Sequence, residues 1–112
     1  MTYEKALEII EAEFETRTNS PVNKTIQTGL TYDGFNGFCL NIYNSKNGVI
    51  LTDLGATKDI FNEVPQEDWI TLCNQHAFEF VHWSITRKFN DINDVYEFIK
   101  FLDLISWKYW EE

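Results

Sequence analysis

Gly48-Val49-Ile50-Leu51-Thr52-Asp53-Leu54-Gly55-Ala56-Thr57 reads as a buried strand that stops at an Asp and turns through a Gly into a helix. Just upstream, Gly37-Phe38-Cys39-Leu40-Asn41-Ile42-Tyr43-Asn44 alternates with period two, and Asn47-Gly48 lies between the two runs. That pairing predicts a tight hairpin with strands at about 37–44 and 49–53, followed by a strand-to-helix elbow.

Working outward, Tyr3, Leu7, Ile10 and Phe14 share one face of a helix over residues 3–16. Residues 16–23, with Asn19-Ser20-Pro21, read as a loop. Residues 25–32 alternate, with Ile26, Thr28, Leu30 and Tyr32 on one side, and Asp33-Gly34 is a turn. Beyond the elbow, Thr57 is placed to cap a short helix running through Phe61. Pro65 suits the first turn of a helix at 66–75, with Trp69, Leu72 and Cys73 inward. Residues 78–87 alternate again, Val81, Trp83 and Ile85 against Phe80, His82 and Ser84, and predict a fourth strand; a continuous helix over 66–86 is the competing reading. Asp91 or Asn93 caps a last helix at about 93–109. The order α-β-β-β-α-α-β-α predicts one α+β domain over residues 1–112, with helices packed on an antiparallel sheet of about four strands.

Composition excludes whole classes of function. Nine Phe, five Tyr and four Trp supply a core without disulfides or metals, and they rule out a disordered chain. The net charge of -9 repels nucleic-acid phosphates and anionic lipid, and Arg87-Lys88 is too small a basic patch to reverse that. A protein partner is expected, either a basic one or one that brings no charge. Met1-Thr2-Tyr3-Glu4-Lys5 opens an acidic helix rather than a leader, and no apolar run approaches the ~18 residues of a membrane span. A cytoplasmic protein with reduced thiols is expected.

The elbow also carries a resemblance. An aromatic-rich strand, a short turn and Val49-Ile50-Leu51-Thr52-Asp53-Leu54-Gly55-x-Thr57 resemble the domain of unknown function 1828 family, small proteins of bacteria and phages. In that family a strand ends in Leu-Thr-Asp-x-Gly and enters a helix. The likeness is sharp over residues 35–57 and architectural beyond them. It departs at Thr31-Tyr32-Asp33-Gly34-Phe35, where the family often has an Asp-x-His-like cluster and this chain has no His. The resemblance implies a fold and a bacterial or phage setting, and no chemistry.

Asp53 is the residue an enzyme would use, at the end of a buried strand. The restriction-endonuclease-like reading needs an acid-x-Lys on the next strand to hold Mg²⁺ and stabilise charge, and no strand supplies it. A structural role is expected instead, with Asp53 and Thr57 capping the turn through local hydrogen bonds. Cys39, Cys73, His76 and His82 are the only soft ligands; Cys73-x-x-His76 has a chelating spacing, but the other two stand alone. No metal, cofactor or catalytic group is expected.

Two surfaces remain. Glu4, Glu8, Glu11 and Glu15 fall in one helical stripe about 60° wide, an acidic face or a mimic of nucleic-acid phosphates. The last helix is apolar nearly all round. Val95, Phe98, Ile99, Leu102, Ile105 and Tyr109 form its inward stripe, which leaves Phe101, Leu104, Trp107 and Trp110 for an interface. The expected function is a non-enzymatic interaction or inhibitor protein of a bacterial or phage system, binding through the acidic first helix, the apolar last helix or both. The alternatives are a nuclease-like enzyme using Asp53 and a structural subunit that forms a homodimer.

Overall fold

The computed structural model describes residues 1–110. Along the chain lie α1 (Tyr3–Glu11), β1 (Glu15–Ser20), β2 (Asn23–Gln27), β3 (Leu40–Ser45), β4 (Gly48–Thr52), α2 (Ala56–Ile60), α3 (Gln66–Gln75), β5 (Glu79–Val81), β6 (Ser84–Lys88) and α4 (Ile92–Tyr109). All strand pairs are antiparallel, in one sheet ordered β1-β2-β3-β4-β6-β5. The class is α+β as expected, but the sheet has six strands where about four were expected, and the element order gains two strands.

The first extra strand is β1. Residues 3–16 do not form one helix: α1 stops at Glu11, and Glu15 begins the edge strand. Glu15-Thr16-Arg17-Thr18-Asn19-Ser20 is polar on both faces, so it gives no apolar alternation to read. Its β-branched Thr16 and Thr18 fit an edge strand, and pairing of Thr16 with Ile26 overrides the helical spacing of the glutamates. The second extra strand comes from splitting 78–87 into a hairpin. His82 and Trp83 both have positive φ, 50° and 64°, between the paired Val81 and Ser84. Two central residues with positive φ mark a type I′ turn, usually Asn-Gly, and a bulky His-Trp conceals it.

Two boundaries also move. β2 ends at Gln27, because Gly29 at φ 73° turns the chain out of the sheet, leaving Leu30 exposed and Tyr32 buried. The central hairpin turns on Lys46-Asn47, with Gly48 at φ 117° opening β4 opposite Ser45.

The sheet register sets the core. Ile26 faces Leu40, Ile42 faces Leu51, and Val49 and Ile85 share that side. These residues form one cluster with Ile10 of α1, Trp69, Leu72 and Cys73 of α3, and Val95, Phe98, Leu102 and Ile105 of α4. The other face of the sheet carries polar side chains, including Thr25, Asn41 and Thr86. There Asn41 Oδ1 accepts from Asn19 Nδ2 at 2.9 Å and from Thr25 Oγ1 at 2.8 Å.

At the elbow the Asp53 carboxylate replaces a piece of ladder. Pairing of β4 with β6 ends at Thr52 and Thr86; beyond it Asp53 Oδ1 accepts from Ile85 N at 2.8 Å and from Gly55 N at 2.9 Å, and Oδ2 accepts from Thr57 N at 3.2 Å. These bonds hold Leu54 and Gly55 at φ 55° and 82°. A Cβ on Gly55 would come within 3.3 Å of Trp83 O, so this glycine is required by space as well as by φ. Asp53 is the cap that the sequence predicts. Thr57 is not the N-cap of α2: Gly55 holds that position, and Thr57 lies inside the helix as a donor to Asp53.

Candidate partner-binding groove

Residues 28–39 leave the sheet and return to it as an ordered loop. Thr31 bridges Gly37, Tyr32 N donates to Asn36 O at 2.8 Å, and Phe38 N donates to Leu30 O at 2.8 Å. At the tip, Asp33 Oδ1 accepts from Phe35 N at 2.9 Å and Asn36 N at 2.7 Å, while Oδ2 accepts from Asn36 Nδ2 at 2.6 Å. These bonds favour the anion and hold the Asp33 carboxyl below its ordinary range. The ordered tip presents Phe35, 93% exposed. Fixing an aromatic ring in water gains nothing for the fold, so Phe35 is the first functional candidate.

The loop base is anchored to the core. Tyr32 is buried against Phe38, ring centroids 4.8 Å apart, and its hydroxyl lies 2.7 Å from Thr57 Oγ1. Burial pushes the Tyr32 phenol well above its ordinary range, so it stays neutral.

Opposite the loop is the C-terminal end of α4. Asp103, Ser106, Trp107 and Trp110 recur at i, i+3, i+4 and i+7, so they share one side of the helix. Trp107 is 82% exposed and Trp110 44%. Two open depressions meet along Asp33 and Trp110. One, about 450 Å³, lies between Tyr32, Asp33, Asp103, Trp107 and Trp110. The other, about 720 Å³, runs past Phe35, Ile60, Phe61 and Val64, with Glu63, Asp68 and Lys108 at its margin. The lining is thus aromatic and aliphatic with an acidic rim of Asp33, Glu63, Asp68 and Asp103 against one lysine.

The expected surface on α4 is therefore divided. Trp107 and Trp110 lie in the groove, and Leu104 is 39% exposed beside it. Phe101 is not on the surface. It is 3% exposed, stacks on Phe78 at 4.3 Å and lies beside His76. The connection from α3 to β5, with Ala77 at φ 62°, carries Phe78 to that flank, so the chain itself covers the second side of the helix.

The acidic stripe is also divided. Glu4, Glu8 and Glu11 are exposed on α1, but Glu15 lies in β1 and does not share their face. Glu8 pairs with Lys5 at 3.4 Å and Glu11 with Lys24 at 3.6 Å. This end of the molecule is remote from the groove. Glu13 accepts from Tyr96 Oη at 2.6 Å near the start of α4, and Tyr96 precedes Trp107 by about 16 Å of helix.

Asp53 lines neither depression and is 0% exposed. Cys39, Cys73, His76 and His82 do not converge: among the described residues no three His, Cys, Asp or Glu side chains are placed to hold a metal ion. Burial pushes the Cys73 thiol up to about 12 and raises Cys39 as well, which lowers the thiolate fraction of both. Among the described residues no helix is long and apolar enough to cross a membrane.

Of the residues that line the two depressions, the sequence reading names Trp107 and Trp110 as partner-binding candidates and does not name Asp33, Phe35 or Asp103. Asp103 was legible from its spacing to the two tryptophans, and Asp33 only as part of a turn. Nothing in the sequence signals that the Phe35 ring is exposed. No family model matches the chain, and no curated protein or solved structure is similar to it.

Proposed function

We propose that this chain is a non-enzymatic interaction protein whose contact surface is the groove between the 28–39 loop and the C-terminal end of α4. The observation that carries this reading is the exposure of three aromatic side chains, Phe35, Trp107 and Trp110, around one groove. Aromatic anchors in a depression are the residue type and setting that dominate interface energy. Anchoring of the loop through Tyr32 and Phe38 supports the same reading, because a pre-formed surface loses less entropy on binding.

The partner is a different protein rather than a second copy. A two-fold contact through this groove would set Asp33, Glu63, Asp68 and Asp103 against themselves, in a chain of net charge -9. The groove also takes precedence over the acidic first helix, where Glu8 and Glu11 already pair with lysines. A cytoplasmic role in a bacterial or phage system, implied by the resemblance over residues 35–57, completes the reading.

The test compares proteins captured from bacterial lysate by the wild type and by a Phe35→Ser, Trp107→Ser variant. Both positions are exposed, so circular dichroism and thermal melting should match the wild type. Loss of one captured protein by the variant is the expected result. The same proteins captured by both would remove the groove from the function.

A further inference from the structure

We infer that the smaller depression, between Tyr32, Asp33, Asp103, Trp107 and Trp110, is a pocket for a cationic side chain, a lysine or arginine carried by the partner polypeptide. The inference rests on the reading of this groove as the contact surface, and it names the chemistry of what enters.

Two properties of the pocket point there together. Its aromatic groups are the two exposed indoles of Trp107 and Trp110, on one side of α4, while the Tyr32 ring beneath is buried. An ammonium or guanidinium group is attracted to the negative face of such rings, most strongly to tryptophan. Its polar groups are anions. Asp103 is exposed at its edge, and Asp33 is an anion held by three hydrogen bonds from Phe35 and Asn36. Among the described residues no lysine or arginine lines this pocket, although Lys108 lines the neighbouring one. The pocket therefore offers aromatic faces and two carboxylates with no cation of its own to fill them. An anionic guest would meet like charges, and a neutral apolar guest would gain nothing from the two carboxylates.

The larger depression says why the cation arrives on a polypeptide. It continues from the pocket across Asp33 and Trp110 and is floored by Ile60, Phe61 and Val64. A free ammonium ion would leave that apolar floor empty. A chain segment would place its cation between the tryptophans and an adjacent apolar side chain on the floor, a pocket for each of two neighbouring side chains.

The test titrates two capped peptides into the full chain by calorimetry, Gly-Phe-Gly-Lys-Gly and the same peptide with norleucine for lysine. Tetramethylammonium is titrated as a third probe. Saturable binding of the lysine peptide, with the norleucine peptide about tenfold weaker, is expected. Asp103→Asn and Trp107→Leu should each weaken the lysine peptide by about fivefold and leave the norleucine peptide unchanged, with melting temperatures as in the wild type. Added salt should weaken the lysine peptide alone. Absence of saturable lysine-peptide binding up to about 10 mM overturns the inference. Equal binding of the norleucine peptide overturns the cation assignment and leaves the contact surface standing. Tetramethylammonium binding as tightly as the lysine peptide overturns the polypeptide source. If the lysine peptide binds as expected but lysate capture is indifferent to Phe35 and Trp107, the pocket stands and the proposed function fails.

Discussion

The hydroxyl of Tyr32 lies 2.7 Å from Thr57 Oγ1, a buried pair that joins the groove's loop to the start of α2. Thr57 N donates in turn to Asp53, and Asp53 accepts from Ile85 of β6. One chain of polar contacts thus fastens the loop, α2, the end of β4 and β6 together. Buried networks with every member satisfied rigidify what they join. This one sets the wall of the groove that holds Asp33 and Phe35 against the wall that holds Ile60 and Phe61.

Tyr32→Phe should therefore destabilise the chain by about 1 kcal/mol, the cost of leaving a buried hydroxyl without its partner. Thr57→Val should cost a similar amount. The double variant should cost clearly less than the sum, because each single change already breaks the same contact. Urea denaturation of the four proteins measures the coupling, and strictly additive losses would show that the two hydroxyls are not paired.

Asp53 gives a larger effect and a pH signature. Asp53→Ala leaves the buried N–H groups of Gly55, Thr57 and Ile85 without acceptors, so a loss of about 3 kcal/mol or more is expected. Asp53→Asn keeps the Oδ1 acceptor for Gly55 and Ile85 and turns an amide toward Thr57 N, so it should fall between Ala and the wild type. Burial holds the Asp53 carboxyl above the ordinary aspartate value of 3.8, the hydrogen bonds from Thr57, Gly55 and Ile85 pulling the other way without reversing it. With the folded value above the unfolded one, the carboxyl's contribution is fully present below the unfolded value and is lost as pH rises through the folded one. The stability of the wild type relative to Asp53→Asn should therefore decline from pH 3.8 upward, as read from denaturation midpoints across that range. A relative stability that rises with pH would show that the N–H donors outweigh burial.

The elements read correctly from sequence are those whose apolar residues face one core. α3 at Gln66–Gln75, with Trp69, Leu72 and Cys73 inward, and the hairpin of β3 and β4 have strong periodicity and ordinary turn chemistry. The failures have separate causes. β1 is held at an edge by pairing with β2, and polar side chains on both its faces conceal it. The β5–β6 turn adopts positive φ with His82 and Trp83, where composition alone suggests an unbroken strand. The groove was half legible. Helical spacing gives Trp107, Trp110 and Asp103 a common side, but the loop that faces them is positioned by Tyr32–Thr57, a contact 25 residues apart in sequence.

The two thiols should differ little from inert side chains. Cys73 is fully buried and its thiol is pushed up to about 12. Cys39 is half-buried, raised by burial, and accepts from Asn41 Nδ2 at 3.3 Å. Only a thiolate attacks a disulfide reagent. In native buffer at pH 8, Cys73 should react only through unfolding, and Cys39 more slowly than free cysteine; both should react promptly in denaturant. Fast reaction of either in the folded protein, followed by absorbance, would contradict the burial.

Helix α4 offers the sharpest contrast, because two residues three positions apart belong to different environments. Phe101 is closed in by Phe78 and His76, and its removal leaves a cavity that rigid aromatic neighbours fill poorly. Phe101→Ala should cost about 3–5 kcal/mol. Leu104 is 39% exposed and lies outside the groove, so Leu104→Glu should change stability by no more than about 0.5 kcal/mol. Leu104→Glu should also leave sedimentation unchanged, since the groove's acidic rim opposes self-association across this end of the helix. A wild type that sediments as a dimer, with Leu104→Glu a folded monomer, would restore the homodimer and place Leu104 at its centre.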